Sequence, residues 1–204
     1  MNRYDIINSL IKKYDYKEYL EIGVQNKVNF NKIECNIKMS IDPDENAKAD
    51  YIMTSDEYFK NHKQKFEIIF IDGLHHNEQT YKDIINSLEC LHKNGTIVVH
   101  DCNPKEKIHQ VVPRISKVWN GDCWRAFVRL RKERDNLDMF VIDTDYGCGI
   151  IRKGEQLSPM YINEDITFEN FMKYKKEWLN LISVEEFQQW LLINPMVVHI
   201  GKRF

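Results

Sequence analysis

Four short apolar runs set the limits on how this chain can fold. EYLEIGV (18–24), KMSIDPD (38–44), FEIIFIDG (66–73) and TIVVHDCNP (96–104) are rich in β-branched and aromatic residues, and each carries or closes on a carboxylate or a histidine. FEIIFI is continuous in Ile and Phe, as strands buried on both faces tend to be. Between the third and fourth runs, Tyr81, Ile84, Ile85, Leu88 and Leu91 recur at helical spacing, and Gly95 is expected to stop that helix. Strand, helix, strand within about 35 residues is a right-handed βαβ unit. Ile6, Ile7, Leu10 and Ile11 mark an earlier helix, and DYIMTSDEYF (50–59) a short strand turning into another. The alternation predicts an α/β fold, an open and mostly parallel sheet with helices on both faces.

After Pro104 the alternation lapses. Residues 103–135 hold nine Lys/Arg against four Asp/Glu, a net of +5, with aromatic neighbours in VWNGDCWRAFVRLRKER (118–134). This segment is either a lid that recognises an anionic acceptor or an amphipathic helix with Trp124, Phe127 and Leu130 in the core. LDMFVIDTDYGCGIIRKG (137–154) reads as two strands around a turn at Asp145–Gly147. The tail is helical over 165–192, with Ser183 and Glu186 as a capping box. Its aromatic residues serve packing or a homodimer surface. The chain divides into a core domain, residues 1–154, and a helical extension of the same domain, residues 155–204.

Composition narrows the function classes. A net charge of −2 in 204 residues argues against a dedicated nucleic-acid binder. Five widely spaced cysteines without a C-x-x-C pair argue against a disulfide framework or zinc knuckle. The N-terminal residues are too charged for a signal peptide, and no apolar run approaches the roughly 20 residues that span a bilayer. The expectation is a cytoplasmic protein.

Ligands of open α/β sheets bind outside the carboxyl ends of the strands. Glu21, Asp42, Asp44, Asp72, His75, His100 and Asp101 gather at those ends. Asp42 lies 19 residues past Gly23, the place from which a carboxylate takes the hydroxyls of a ribose. The first turn, EIGVQNKVNF, has a single glycine, too few for a pyrophosphate cradle. A nucleoside cofactor without phosphates suits it better than a nicotinamide dinucleotide.

YLEIGV, SIDPD, SDEYF, FEIIFIDGLHH and NGTIVVHDCNP, in that order, resemble successive motifs of the class I S-adenosylmethionine-dependent methyltransferases. The similarity is greatest to the "IDG-x-H" O-methyltransferase-like branch found among sugar- and natural-product-modifying enzymes. It covers residues 17–104, with a weaker match through 154. It implies a Rossmann-like seven-stranded sheet of order 3-2-1-4-5-7-6 with the last strand antiparallel, and S-adenosylmethionine as cofactor. Glu21 and Gly23 resemble the first motif, under the methionine part of the cofactor. Asp42 resembles the ribose-binding acid, Ser55 and Asp56 fall beside the adenine, and Asp72 and Gly73 lie near the reacting methyl. Where the family usually has a second glycine, this chain has Lys27, and Asn26 is expected to supply the left-handed backbone. A non-catalytic cofactor-binding protein and an NAD-dependent oxidoreductase are the competing readings.

The resemblance also implies a base and a metal. His75, three residues after Asp72, matches the family's general base. There, the strand-end Asp and an acidic pair on the next strand hold a divalent ion. Here, that pair reads His100-Asp101. Asp72 and Asp101 could hold Mg²⁺ or Mn²⁺, with His100 as a third candidate ligand. The acceptor is expected to be a hydroxyl of a sugar or another small metabolite.

Overall fold

The computed structural model describes residues 1–156, 160 and 162–193. His199 and the end of the expected extension lie outside the described residues. Eight strands form one sheet: β1 (Glu18–Ile22), β2 (Ile37–Asp42), β3 (Tyr51–Ile52), β4 (Phe66–Ile71), β5 (Leu91–Val99), β6 (Leu137–Ile142), β7 (Cys148–Lys153) and β8 (Leu181–Ile182). Their order is β3-β2-β1-β4-β5-β7-β6-β8. The first five strands run parallel, and β7 is antiparallel to both neighbours. The expected seven-strand order is therefore present. The extra strand, β8, pairs parallel with β6 through Val141–Leu181 and Ile142–Ile182. Two residues between helices gave no period to read, so the sequence hid it.

Alternate residues of the central strands serve opposite faces. Ile69, Ile71, Ile97 and Val99 pack with α2 (Ser55–Asn61), α3 (Asn77–Cys90), α4 (Cys123–Glu133) and α5 (Phe168–Trp178). Ile68, Phe70 and Val98 pack with Ile6, Ile7 and Leu10 of α1 (Arg3–Tyr14) and Phe187 of α6 (Val184–Ile193). Burial on both faces is what made these strands read as continuous apolar runs. The extension thus contributes to both core layers, and α6 starts from the expected box. The Ser183 amide donates to Glu186 at 2.7 Å, and the Glu186 amide to Ser183 Oγ at 3.1 Å.

One local expectation is corrected, and one open alternative is settled for α4. Gly95 does not stop α3, which ends at Cys90, because Leu91 pairs with Phe66 as the first residue of β5. Gly95 instead sits within β5, where a Cβ would come within 2.7 Å of the Glu67 carbonyl oxygen. The basic segment is also not a single lid. Trp124, Phe127 and Leu130 of α4 are fully buried, so the amphipathic reading holds for that helix. Residues 104–122, before α4, make only a short 3₁₀ turn, at Lys107–Gln110, and cross the carboxyl end of the sheet. Among the described residues, no helix is long and apolar enough to cross a membrane.

Candidate active site

The turn after β1 sets the backbone of the site. Gly23 adopts φ +84°, and a Cβ there would stand 2.3 Å from the Asp72 carbonyl oxygen, so β1 and β4 approach closely only with glycine. The left-handed residues that follow are Gln25 (φ +46°) and Lys27 (φ +60°), not Asn26. Lys27 takes the left-handed backbone itself, and its amide donates to the Val24 carbonyl at 2.7 Å. The turn brings the Gln25 amide to Asp42 Oδ2 at 2.9 Å, while the Asp44 amide reaches Oδ1 at 2.9 Å. Each oxygen of Asp42 thus spends one lone pair on the backbone and keeps one. The carboxylate is fixed in orientation and still able to accept two hydroxyls.

Glu21, one residue before the end of β1, is almost wholly buried, at 1% exposure. Burial pushes its carboxyl up to about 7, although hydrogen bonds from the Tyr19 hydroxyl and the Asn29 amide (3.0 Å) favour the charged form. Farther along the cavity, Ser55 donates to Asp83 at 2.6 Å, and the Gln79 amide donates to Asp56 and to Asp83, each at 3.0 Å. Asp83 is buried on α3, and that burial raises its carboxyl to about 6. Its position in mid-helix, with no strand end to mark it, kept it out of the sequence reading.

The third group gathers around Asp72. His75 Nε2 lies 3.3 Å from Asp72 Oδ1, and His75 Nδ1 lies 3.3 Å from Asp101 Oδ2. Trp119 stacks on the imidazole at 5.0 Å and 19°. His100 Nδ1 lies 3.1 Å from Asp72 and 3.4 Å from Asp101, and its Nε2 lies 3.5 Å from Asp145. Burial alone would lower the His100 pKa, but the charges of Asp72 and Asp101 and bonds to Asp101 and Asp145 raise it well above its ordinary value. Burial likewise opposes the charge on Asp72, yet the two histidines hold its carboxyl well below the usual carboxylate range. His75 is shifted upward against burial by Asp72 and Asp101.

The backbone of the 104–122 segment fixes this group. Gly121, at φ +61°, passes so close to His75 that a Cβ would lie 1.8 Å from its carbonyl oxygen. Asp122 accepts both from the Asn77 amide (2.7 Å) and from its side-chain nitrogen (2.6 Å), tying the 75–77 turn to this segment. Asn120 donates to Asp101, which is itself left-handed at φ +60°. From the opposite side Arg3 reaches in from α1, its Nη1 3.1 Å from Asp145 Oδ2. The backbone of 102–103 bonds to that of 146–147, which brings Asp145 in the β6–β7 turn to His100.

These groups line one cavity of about 800 Å³ at the carboxyl edge of the sheet. Its walls include every expected site residue: Glu21, Gly23, Asp42, Ser55, Asp56, Asp72, Gly73, His75, His100 and Asp101. Asp44 and His76 are not among its lining residues. Residues 41–102 match a family model described as a methyltransferase domain. Three solved structures share the architecture. The O-methyltransferase from Bacillus cereus, in complex with S-adenosylhomocysteine, has 14% identity, covering 75% of this chain and 80% of its own, with a TM-score of 0.55. The O-methyltransferase of tomaymycin synthesis from Streptomyces achromogenes, in complex with S-adenosylmethionine, has 12% identity, 74% and 79% coverage and 0.56. The S-adenosylhomocysteine-bound methyltransferase from Podospora anserina has 15% identity, 75% and 78% coverage and 0.55. The fold is that of the class I S-adenosylmethionine-dependent methyltransferases. No curated protein matches the sequence.

On this methyltransferase fold, Asp72, His75 and Asp101 each offer a ligand atom within 4.8 Å of the others, as a divalent ion requires. Buried His75 Nδ1 has no hydrogen-bond partner, which fits a group able to take its lone pair. His100 does not join the set. It is not among the residues whose ligand atoms converge, and its Nε2 faces Arg3 Nη1 at 3.4 Å as well as Asp145. The residues that the sequence reading missed are Arg3, Asp83, Asn120 and Asp145. Arg3 and Asp145 carry no local signal. Asn120 stands in a visible Asn-Gly-Asp turn, but its partner across the fold could not be read.

Proposed function

We propose that this chain transfers a methyl group from S-adenosylmethionine to a hydroxyl of a sugar or another small metabolite. The observation that carries the reading is the meeting of Asp72, His75 and Asp101 at one end of a cavity whose other walls hold Glu21 and Asp42. The bound cofactor supplies a methyl on a sulfonium, ready for in-line displacement. The residues of the chain supply position and a deprotonated nucleophile. Asp42 accepts the ribose hydroxyls. Ser55, Asp56 and the buried Asp83 accept from the amino edge of a base. Glu21 faces the amino-acid end. His75 takes the hydroxyl proton, and Asp72 and Asp101 orient its ring.

A second possibility for the same centre is favoured by the ligand-competent trio. Asp72, His75 and Asp101 would hold Mg²⁺ or Mn²⁺, which would lower the pKa of a coordinated acceptor hydroxyl. His75 would then be a ligand rather than the base. Trp119, Val118 and Leu74 form an apolar wall on the acceptor side.

The test is calorimetric titration with S-adenosylhomocysteine and with NAD, followed by methyl transfer from labelled S-adenosylmethionine to a panel of sugar and phenolic hydroxyls, with and without a chelator. Tight S-adenosylhomocysteine binding and turnover on a hydroxyl are expected. Preference for NAD would overturn the reading. Cofactor binding with no turnover across the panel would favour a non-catalytic binder.

A further inference from the structure

The cavity is strongly acidic. Glu21, Asp42, Asp56, Asp72, Asp83, Asp101 and Asp145 line it against two arginines, Arg3 and Arg114, and no lysine. Such a wall suits a sulfonium and an ammonium but repels the carboxylate that the same cofactor carries. Arg114 is exposed at the rim, committed to the Ser116 and Lys117 carbonyl oxygens at 3.0 and 2.6 Å. Arg3 lies at the other end, near where β1 and β4 pair up to Ile22 and Ile71, beside Glu21 and Asp72. Its Nη1 is engaged by Asp145, at 3.2 and 3.1 Å from the two oxygens, and its backbone amide also donates to Asp145 at 2.9 Å. These contacts fix the plane of the guanidinium. Its Nε is buried, has no hydrogen-bond partner and stands 3.9 Å from Asp72 Oδ2. Nη1 is thus anchored, while Nε lines the cavity without a hydrogen-bond partner.

We propose that Arg3 binds the α-carboxylate of the cofactor's amino-acid end through its Nε–Nη2 edge, opposite an ammonium held at Glu21 and Asp72. The proposal rests on the cavity being an S-adenosylmethionine site. It assigns to the first turn of α1, outside the recognisable motifs, the discrimination between an amino acid and a simple amine. Asp145 is then a positioning residue that holds Arg3 in its plane.

Two ligands separate this from a purely structural Arg3. S-adenosylhomocysteine carries the carboxylate, and its decarboxylated analogue, S-(5′-adenosyl)-3-thiopropylamine, lacks only that group. Isothermal titration of the wild type should show a ten- to hundredfold preference for the first. In Arg3→Gln the preference should fall to near unity, because the carboxylate ligand weakens while the amine does not, and Arg3→Lys should restore part of it. Three results would overturn the proposal: a wild type that binds both ligands equally, an Arg3→Gln variant that loses both in equal measure, or one that keeps the wild-type preference. The wild-type comparison stands even if the variants fold poorly. Failure of the wild type to bind either ligand would instead remove the S-adenosylmethionine reading itself.

Discussion

Glu21→Gln tests the electrostatics of the site in a single substitution. Burial lifts the Glu21 carboxyl from its ordinary 4.5 to about 7, and each unit is worth 1.36 kcal/mol. The folded state therefore favours the protonated acid by about 3 kcal/mol relative to the unfolded chain. The sign follows. Below pH 4.5 the group is protonated in both states and costs nothing. Between 4.5 and 7 the unfolded chain releases the proton first, and stability falls as pH rises. Above 7 the full cost is present. Glutamine keeps the shape without the charge. In urea denaturation without ligand, Glu21→Gln should match the wild type at pH 4.5 and exceed it by about 2–3 kcal/mol at pH 8. Ligand binding should respond in the opposite way. An ammonium placed against Glu21 favours the carboxylate, so wild-type affinity for S-adenosylhomocysteine should rise as pH passes 7, and the variant should be weaker and flat. A stability difference independent of pH would refute the argument, because it would mean that Glu21 titrates alike in both states.

Further expectations follow from the geometry of the turn and of the Asp72–His75–Asp101 trio. If His75 is the base, His75→Ala should lower turnover about 10²–10⁴-fold with S-adenosylhomocysteine affinity within a few-fold of wild type by calorimetry. Gly23→Ala places a Cβ 2.3 Å from the Asp72 carbonyl oxygen at a positive φ, and should cost at least 2 kcal/mol in chemical denaturation and weaken cofactor binding. Lys27→Gly removes a strain of about 1 kcal/mol at a left-handed residue, partly offset by the added freedom of the unfolded chain. It should leave denaturation midpoints equal or higher. If the Asp72–His75–Asp101 set holds a divalent ion, chelator should abolish turnover and Mn²⁺ should restore it, whereas a purely protein-based centre should be indifferent to both.

Sequence periodicity exposed the parallel core because FEIIFI and TIVV are buried on both faces and end where the sheet ends. The same logic located Glu21, Asp42, Asp72 and Asp101, since a carboxylate after an apolar strand has to emerge at its carboxyl edge. It failed where position depends on a distant partner. Asp83 sits in the middle of α3 and acquires meaning only from Ser55, 28 residues earlier. β8 is two residues long, and only pairing with β6 makes it a strand. Lys27 misled in another way. A missing glycine suggested that a neighbour would take the left-handed backbone, but the hydrogen bond to Val24 holds Lys27 there directly.

His100 shows how the residues that could not be read complete the site that could. On sequence it looked like a weakened member of an acidic pair and a candidate ligand. In the fold it lies among Asp72, Asp101 and Asp145, and Arg3 Nη1 stands 3.4 Å from its Nε2. Three carboxylates crowded without cations would repel one another and take up protons. The imidazole between them lowers the Asp72 carboxyl, both by its charge and by its hydrogen bond. Arg3 and the β6–β7 turn thus meet the strand ends that the motifs expose. A neutral replacement, His100→Asn, should therefore raise the Asp72 carboxyl toward its ordinary range, measurable by carbon-detected NMR titration of the aspartate side chains. If Asp72 still titrates well below that range in the variant, then His100 is not the counter-charge, and the assignment of its role fails.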